Sequence, residues 1–86
     1  MPAVESAAPD AVRRVLSEDV LTLAEARAEI ARVTGRRIRP DKATVFRWIK
    51  RGVGGAKLDA VRIGMQWLTS KQAITRFVAA RTAADE

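Results

Sequence analysis

Residues 41–52 read DKATVFRWIKRG, a pattern that predicts an amphipathic helix over 41–51 ending at Gly52. Its apolar residues recur at the spacing of one helical face: Val45, Trp48 and Ile49. Its other side carries cations and one aromatic ring: Lys42, Phe46 and Lys50, with Ala43 and Arg47 beside them. One face therefore suits a protein core, and the other suits contact with an anionic partner.

Another helix is predicted immediately before this one, over residues 22–34. Thr22 and Glu25 have the spacing of a capping box, in which each side chain accepts a hydrogen bond from the backbone of the other. Apolar residues then follow at helical spacing: Leu23, Ala26, Ile30 and Val33. Gly35 provides a stop, and the basic loop GRRIRP leads to Pro40, which can occupy the first turn of the next helix.

A β-hairpin is predicted after the glycine-rich segment 52–56, where the chain can change direction freely. Alternating residues 60–63 form the first strand, Gly64-Met65 fits a two-residue turn, and residues 66–69 return as the partner strand. Because an isolated two-stranded hairpin is unstable in water, this one must pack against the helices.

A last helix begins near Ser70. Its apolar side consists of Ala73, Ile74, Phe77 and Val78. The order of elements predicts a mainly α fold with a small β-hairpin, a winged helix-turn-helix of three helices and a two-stranded wing. We expect this domain to span residues 20–81, between a flexible N-terminal tail at 1–19 and a flexible C-terminal tail at 82–86. A short helix over 10–16 would be marginal on its own.

Charge is concentrated in the middle third of the chain. The 86 residues carry 16 basic and 10 acidic side chains, a net charge of +6. Residues 32–62 hold ten basic and two acidic side chains, whereas residues 1–31 hold three basic and six acidic ones. This segregation indicates a polyanionic partner, and nucleic acid is the first candidate.

Several functional classes are excluded by composition. The chain has no Cys, His or Tyr, which removes disulfides, zinc sites built on Cys or His, and nucleophiles of the Cys–His, Ser–His and tyrosine types. Glu25 and Glu29 share a helix face but lack a third ligand, so we expect a solvent-facing pair rather than a metal site. We therefore expect no enzyme activity, cofactor or metal. Without an apolar run of membrane-spanning length or a secretory signal, the expected location is the cytoplasm, at the nucleoid, with no membrane partner.

Two motifs carry a family resemblance. The helix TVFRWIKRG at 44–52, followed by AVRIG at 60–64 and Trp67, resembles the MerR-type winged-helix domains, most closely the phage excisionases. Met65 stands where that family commonly has a second glycine. The resemblance implies an excisionase, or recombination directionality factor, that binds and bends duplex DNA. Its expected partners are a separate integrase and, through cooperative self-association on DNA, further copies of itself. A small transcriptional regulator with this fold is the alternative, and an RNA- or protein-interaction module is a third.

Candidate DNA-binding residues follow from the helix face, the wing and the basic loop. On the recognition helix they are Lys42, Thr44, Phe46, Arg47, Lys50 and Arg51. On the wing they are Arg62 and Gln66, and in the loop they are Arg36, Arg37 and Arg39. Arg47 can donate two hydrogen bonds to a guanine, and Arg62 and the loop arginines suit phosphates. Phe46 fits either a core or a thymine methyl group, whereas Trp48 and Trp67 are predicted to be core residues.

Overall fold

The computed structural model of the chain describes residues 9–84, which form four helices and a three-stranded antiparallel sheet. In chain order the elements are α1 (Pro9–Leu16), β1 (Val20–Thr22), α2 (Leu23–Val33), α3 (Lys42–Lys50), β2 (Val61–Ile63), β3 (Gln66–Ser70) and α4 (Lys71–Ala84). The fold is therefore mixed α/β, with one helix and one strand more than the sequence predicted.

The start of α2 confirms the predicted capping box. The Thr22 hydroxyl accepts a hydrogen bond from the Glu25 amide at 3.1 Å, and the Glu25 carboxylate accepts one from the Thr22 amide at 2.8 Å. Thr34 caps the other end, followed by Gly35 at φ 64°. These local contacts fix α2 within one residue of its predicted limits.

The hairpin forms as predicted but belongs to a larger sheet. Gly64, at φ 63°, and Met65 make the two-residue connection between β2 and β3. On its other edge β3 pairs with β1, with Val20 opposite Ser70. The predicted hairpin is therefore part of a three-stranded sheet and not a separate two-stranded unit, with β3 as the central strand in the order β1-β3-β2.

Both predicted tails include residues that are helical in the structure. Residues 9–16 form α1, which packs on the core through Val15, a side chain with 0% exposure. The prediction of a flexible tail over 1–19 is therefore wrong for residues 9–16. At the other end α4 continues to Ala84, past the predicted boundary at 81. The remaining parts of both predictions, residues 1–8 and 85–86, lie outside the described residues.

The core takes side chains from every helix and from β2. Its buried members are Val15, Leu23, Ala26, Ile30, Val45, Leu58, Val61, Ala73, Ile74 and Phe77. Trp48 packs against this cluster, with its ring centroid 5.1 Å from that of Phe77. Trp48, one of the two tryptophans predicted for the core, is only partly buried. It nevertheless connects α3 to α4 through this contact with Phe77.

The glycine-rich link after α3 is a defined turn. Val53 and Ala56 exchange backbone hydrogen bonds of 2.7 and 3.0 Å around Gly54 and Gly55, both of which have positive φ. The Leu58 amide then donates to the carbonyl oxygen of Trp48 at 3.0 Å. The chain therefore does not change direction freely here, and the turn holds the hairpin at a fixed place beside α3.

A half-buried ion network joins the start of the domain to its last helix. Arg76 donates to the Glu18 carboxylate at 2.6 Å and to the Asp59 carboxylate at 3.2 Å. The Ser70 hydroxyl also donates to Glu18 at 2.6 Å, while its oxygen accepts from the Ala73 amide at the start of α4. One guanidinium thus holds three separate segments together.

We expect Glu18→Gln to lower the free energy of unfolding by about 1–2 kcal/mol at neutral pH, because it removes a charged acceptor. The hydrogen bond from Arg76, with a further one from Ser70, lowers the pKa of Glu18. Its stabilising effect is therefore present above the ordinary carboxyl pKa and is lost as pH falls through the lowered value. Urea unfolding of wild type and variant at several pH values measures this difference, which should shrink in acid. Exposed Asp10→Asn is the control, and an equal loss at all pH values would contradict the expectation.

Candidate nucleic-acid interface

Helix α3 separates an inward apolar face from an outward basic one. Val45 is fully buried, and Trp48 and Ile49 pack on the core around it. The side chains of Lys42, Arg47 and Lys50 are exposed, and Phe46 is 41% exposed. This division is the one that residues 41–51 predicted. The helix itself is shorter, since Asp41 and Arg51 are its caps and Pro40 lies outside its first turn.

The first turn of α3 already holds a carboxylate. Asp41 accepts a hydrogen bond from the Thr44 amide at 2.8 Å. Hydrogen bonds from the Thr44 side chain and backbone, with smaller effects of Arg47 and Arg27, lower the pKa of Asp41. Because a negative charge occupies this helix N-terminus, half-buried Thr44 is poorly placed for a phosphate. Of the three exposed cations on α3, Lys42 lies beside this carboxylate in sequence, and Arg47 and Lys50 lie in the C-terminal half.

The hairpin meets α3 at Trp67. Arg62 lies opposite Trp67 in the β2–β3 register, with its guanidinium carbon 5.8 Å from the indole centroid. Lys50 reaches the same ring from α3, its Nζ at 5.6 Å, and the Phe46 ring packs edge-on at 6.2 Å. We name as the α3–hairpin surface the residues Lys42, Phe46, Arg47, Lys50, Arg62 and Trp67. It brings cations of two distant sequence segments together on one aromatic support.

Trp67 differs from its predicted role. It is half-buried and packs on the core, but its ring also carries Lys50 and Arg62, so it belongs equally to the surface. The cross-strand pairing could have revealed this, because a two-residue turn at Gly64-Met65 places Arg62 opposite Trp67 on one face of the hairpin. Gln66 is exposed and lies opposite Ile63.

Two grooves lie beside the α3–hairpin surface, and both add basic residues that the sequence analysis missed. Arg27 and Lys42 line the first groove, together with Phe46 and Met65. Lys57 lines the second, which also contains Lys50, Arg62 and Trp67. Arg27 is fixed in place by a hydrogen bond of 2.9 Å to the carbonyl oxygen of Pro40. The positive charge of α3 therefore continues onto α2 and the segment before β2.

Within residues 9–84 the cations of this surface form no ion pairs. Ion pairs in that range involve only Arg32 and Arg76 among the basic side chains. Asp59 lines the second groove, but its carboxylate is paired with Arg76. Arg51 is exposed at the C-terminal cap of α3 and follows Lys50 of the same surface directly in sequence. The net field at this face is consequently positive.

The three loop arginines are exposed, and none of them lines either groove beside the α3–hairpin surface. Arg36 has a left-handed backbone, φ 66°, and the Arg37 amide donates to the carbonyl oxygen of Thr34. The Thr34 hydroxyl also accepts from the Ile38 amide at 3.1 Å, so the loop has a defined course. Across the described part of the chain, no hydrogen bond, ion pair or shared groove links Arg36, Arg37 or Arg39 to the α3–hairpin surface.

The two glutamates of α2 have structural partners. Glu25 completes the cap at Thr22, and Glu29 forms an ion pair with Arg32 at 2.7 Å. Among residues 9–84 no group of three or more acidic side chains is arranged to hold a metal ion. Between the same limits, no helix has both the length and the apolar character needed to cross a membrane.

Comparison with known proteins gives one match. A family model described as a protein of unknown function, DUF1580, matches residues 24–82, a range that runs from the first turn of α2 to the last turns of α4. No curated protein and no solved structure matches the chain. The matched range covers more than half of the sequence and includes the whole α3–hairpin surface, and on that basis the chain belongs to the DUF1580 family.

Proposed function

We propose that this protein binds duplex DNA as a winged helix-turn-helix protein and carries out no chemistry itself. In this proposal α2 and α3 form the helix-turn-helix, α3 enters the major groove, and the β2–β3 hairpin acts as the wing. The observation that carries it is the convergence of Lys50 and Arg62 on Trp67, without ion-pair partners among residues 9–84.

The dimensions of α3 suit this role. An α-helix with its side chains is about 10–12 Å in diameter, which matches the width of the major groove, about 12 Å, and the 9 residues of α3 extend over roughly 14 Å. Its outward cations are spaced along its length at Lys42, Arg47 and Lys50. Arg47 has the fork geometry that reads a guanine edge, whereas lysines act as point charges toward phosphates or base acceptors.

The hairpin supplies the second contact. Arg62 is held beside α3 by the indole of Trp67, and Lys57 and Lys50 line the same groove. A helix in the major groove would leave these cations facing the adjacent backbone, where each neutralised phosphate releases counterions. Binding should therefore be strongly salt-dependent.

The test compares a mixed-sequence duplex of about 30 bp with its single strand and with an RNA hairpin, over a range of salt concentrations. Fluorescence anisotropy should show tightest binding to the duplex. Selection from a random duplex pool then identifies any preferred sequence. Equal or tighter binding to single strands would instead favour stacking of bases on Phe46 and Trp67, and preference for the RNA hairpin would favour the third candidate.

Arg62→Ala is expected to weaken binding to preferred and mixed-sequence duplexes alike, because a phosphate contact carries no sequence information. The slope of log affinity against log salt should fall by about one unit. The same anisotropy titrations measure it. Thr75→Ala, a change at an exposed position on α4, is the control. An unchanged slope for Arg62→Ala would show that the wing does not contact the phosphate backbone of the DNA.

The biological role that we propose follows the excisionase resemblance. Copies of the protein would bind adjacent sites, bend the DNA and help a separate integrase to choose excision. Regulation of a promoter uses the same surface and is the alternative. Footprinting on DNA that flanks the gene distinguishes the two, because protection within a recombination site supports the first and protection over a promoter supports the second.

A further inference from the structure

The tip of the hairpin is apolar and unusually exposed. Met65 is 89% exposed and Ile63 is 56% exposed, on either side of Gly64. Turn positions of this kind usually carry small or polar residues, which cost nothing to leave in water. Among the large apolar side chains of residues 10–84, Met65 has the largest exposed fraction. An apolar tip on a basic hairpin therefore suits a partner that offers an apolar recess between negative charges.

The tip projects from a stiff support. Val61 and Ile63 point to the same face of β2, yet Val61 is 5% exposed and Ile63 is 56% exposed, so the hairpin runs out beyond the core. Behind the tip, residues 66–68 of β3 pair with β2, and residues 68–70 pair with β1 in the same sheet. Met65 is thus held at the end of a short arm and does not belong to a loose loop.

Cations surround this apolar tip. Arg62 precedes it on β2, and Met65 lines the groove that contains Arg27 and Lys42. The walls of a DNA minor groove are lined with phosphates, and a wedge that opens a base-pair step from the floor contacts the apolar faces of the bases. The charge and shape of the tip match that combination.

We propose that Met65, flanked by Ile63, enters the minor groove next to the site of α3 and partly unstacks one base-pair step. This inference rests on the proposed duplex binding. An unbranched, polarizable thioether side chain adapts well to the irregular space between two bases. Arg62 would hold the neighbouring phosphates and keep the tip at its step.

The test uses permanganate, which oxidises thymines that have lost their stacking. The probe is the duplex enriched by the wild-type protein from a random pool, together with a mixed-sequence duplex. Wild type should increase thymine reactivity at one step, Met65→Leu should retain the effect, and Met65→Ser should abolish it. Anisotropy should show about three- to tenfold weaker binding for Met65→Ser. Val78→Ser, at an exposed apolar position on α4, should leave both measurements unchanged.

The possible failures are distinguishable. If wild type binds no duplex by anisotropy, the proposed function is wrong and the inference fails with it. If wild type binds but Met65→Ser gives the same permanganate pattern, only the wedge is wrong. An apolar tip among cations also suits an anionic membrane surface. Met65-dependent sedimentation with phosphatidylserine vesicles, without a permanganate effect on DNA, would overturn the wedge in favour of that surface. Thermal melting of each variant verifies that the fold is intact.

Discussion

Gly52→Ala should lower the free energy of unfolding by about 2–4 kcal/mol, the largest stability effect that we expect from a single methyl group in this chain. Gly52 has φ 75°, and a Cβ built on it would lie 2.2 Å from the carbonyl oxygen of Ala56. The amide of Gly52 also donates to the carbonyl oxygen of Arg47 at 3.0 Å. The methyl group therefore meets backbone at the point where α3 turns into the tight 53–56 loop.

Urea unfolding monitored by tryptophan fluorescence measures this loss, since Trp48 packs in the core. Gly54→Ala is the matched control, because Gly54 also has a left-handed backbone, φ 58°, but has no atom within 4 Å of its built Cβ. The control should lose only about 1–2 kcal/mol, the cost of the left-handed conformation. Equal losses in the two variants would show that backbone conformation alone, and not the contact with Ala56, determines the requirement for glycine at 52.

Arg47→Ala should weaken binding to the preferred duplex by about 1–3 kcal/mol, or about 5- to 150-fold, and should flatten the difference between preferred and shuffled sequences. The reason is geometric. Arg47 lies on the exposed side of α3, is not ion-paired within residues 9–84, and can present two parallel donors to guanine O6 and N7. Anisotropy titrations with the selected duplex and its shuffled counterpart measure both effects.

Two further variants make this result interpretable. Arg47→Lys retains the charge but loses the planar fork, so it should restore salt-dependent affinity without restoring sequence preference. Arg81→Ala removes a cation from α4, where Arg81 lines a different, apolar groove with Ile38 and Trp48. This variant should change neither the affinity for DNA nor the sequence preference. If Arg47→Ala weakens all duplexes equally, Arg47 contacts a phosphate and the sequence preference has another source.

Local signals in the sequence were sufficient for much of this fold. The capping box at Thr22 and Glu25 fixes the start of α2, and the Gly64-Met65 pair fixes the hairpin. Each depends on residues close together in the chain, so a short stretch of sequence contains the whole interaction. The division of α3 into an apolar and a basic face is equally local.

The elements that were missed depend on distant partners. Strand β1 has three residues and no alternation of its own, and it exists because Val20 pairs with Ser70. Helix α1 is short and would be marginal alone, but burial of Val15 against the rest of the core stabilises it. Tertiary contacts decide both elements, and their sequences carry little sign of them.

The sequence predicted most of the residues of the candidate surface but not how they are arranged in space. Charge segregation and helix periodicity selected the basic residues of α3, and Arg62 followed from the hairpin. The role of Trp67 as the common support of Lys50 and Arg62 depends on how the hairpin docks beside α3, which in turn depends on the turn at Gly54 and Gly55. The loop arginines, although strongly basic, line neither of the grooves beside this surface, since charge alone does not determine where a loop runs.

The central position of β3 has a kinetic consequence. Its ribbon with β2 closes over a two-residue turn, whereas its ladder with β1 joins residues 20–22 to residues 68–70 and must await collapse of the helices between them. We therefore expect the hairpin to form before β1 pairs with β3. Because the β1–β3 ladder joins segments on either side of α2 and α3, we expect α3 to reach its final position only when the sheet is completed.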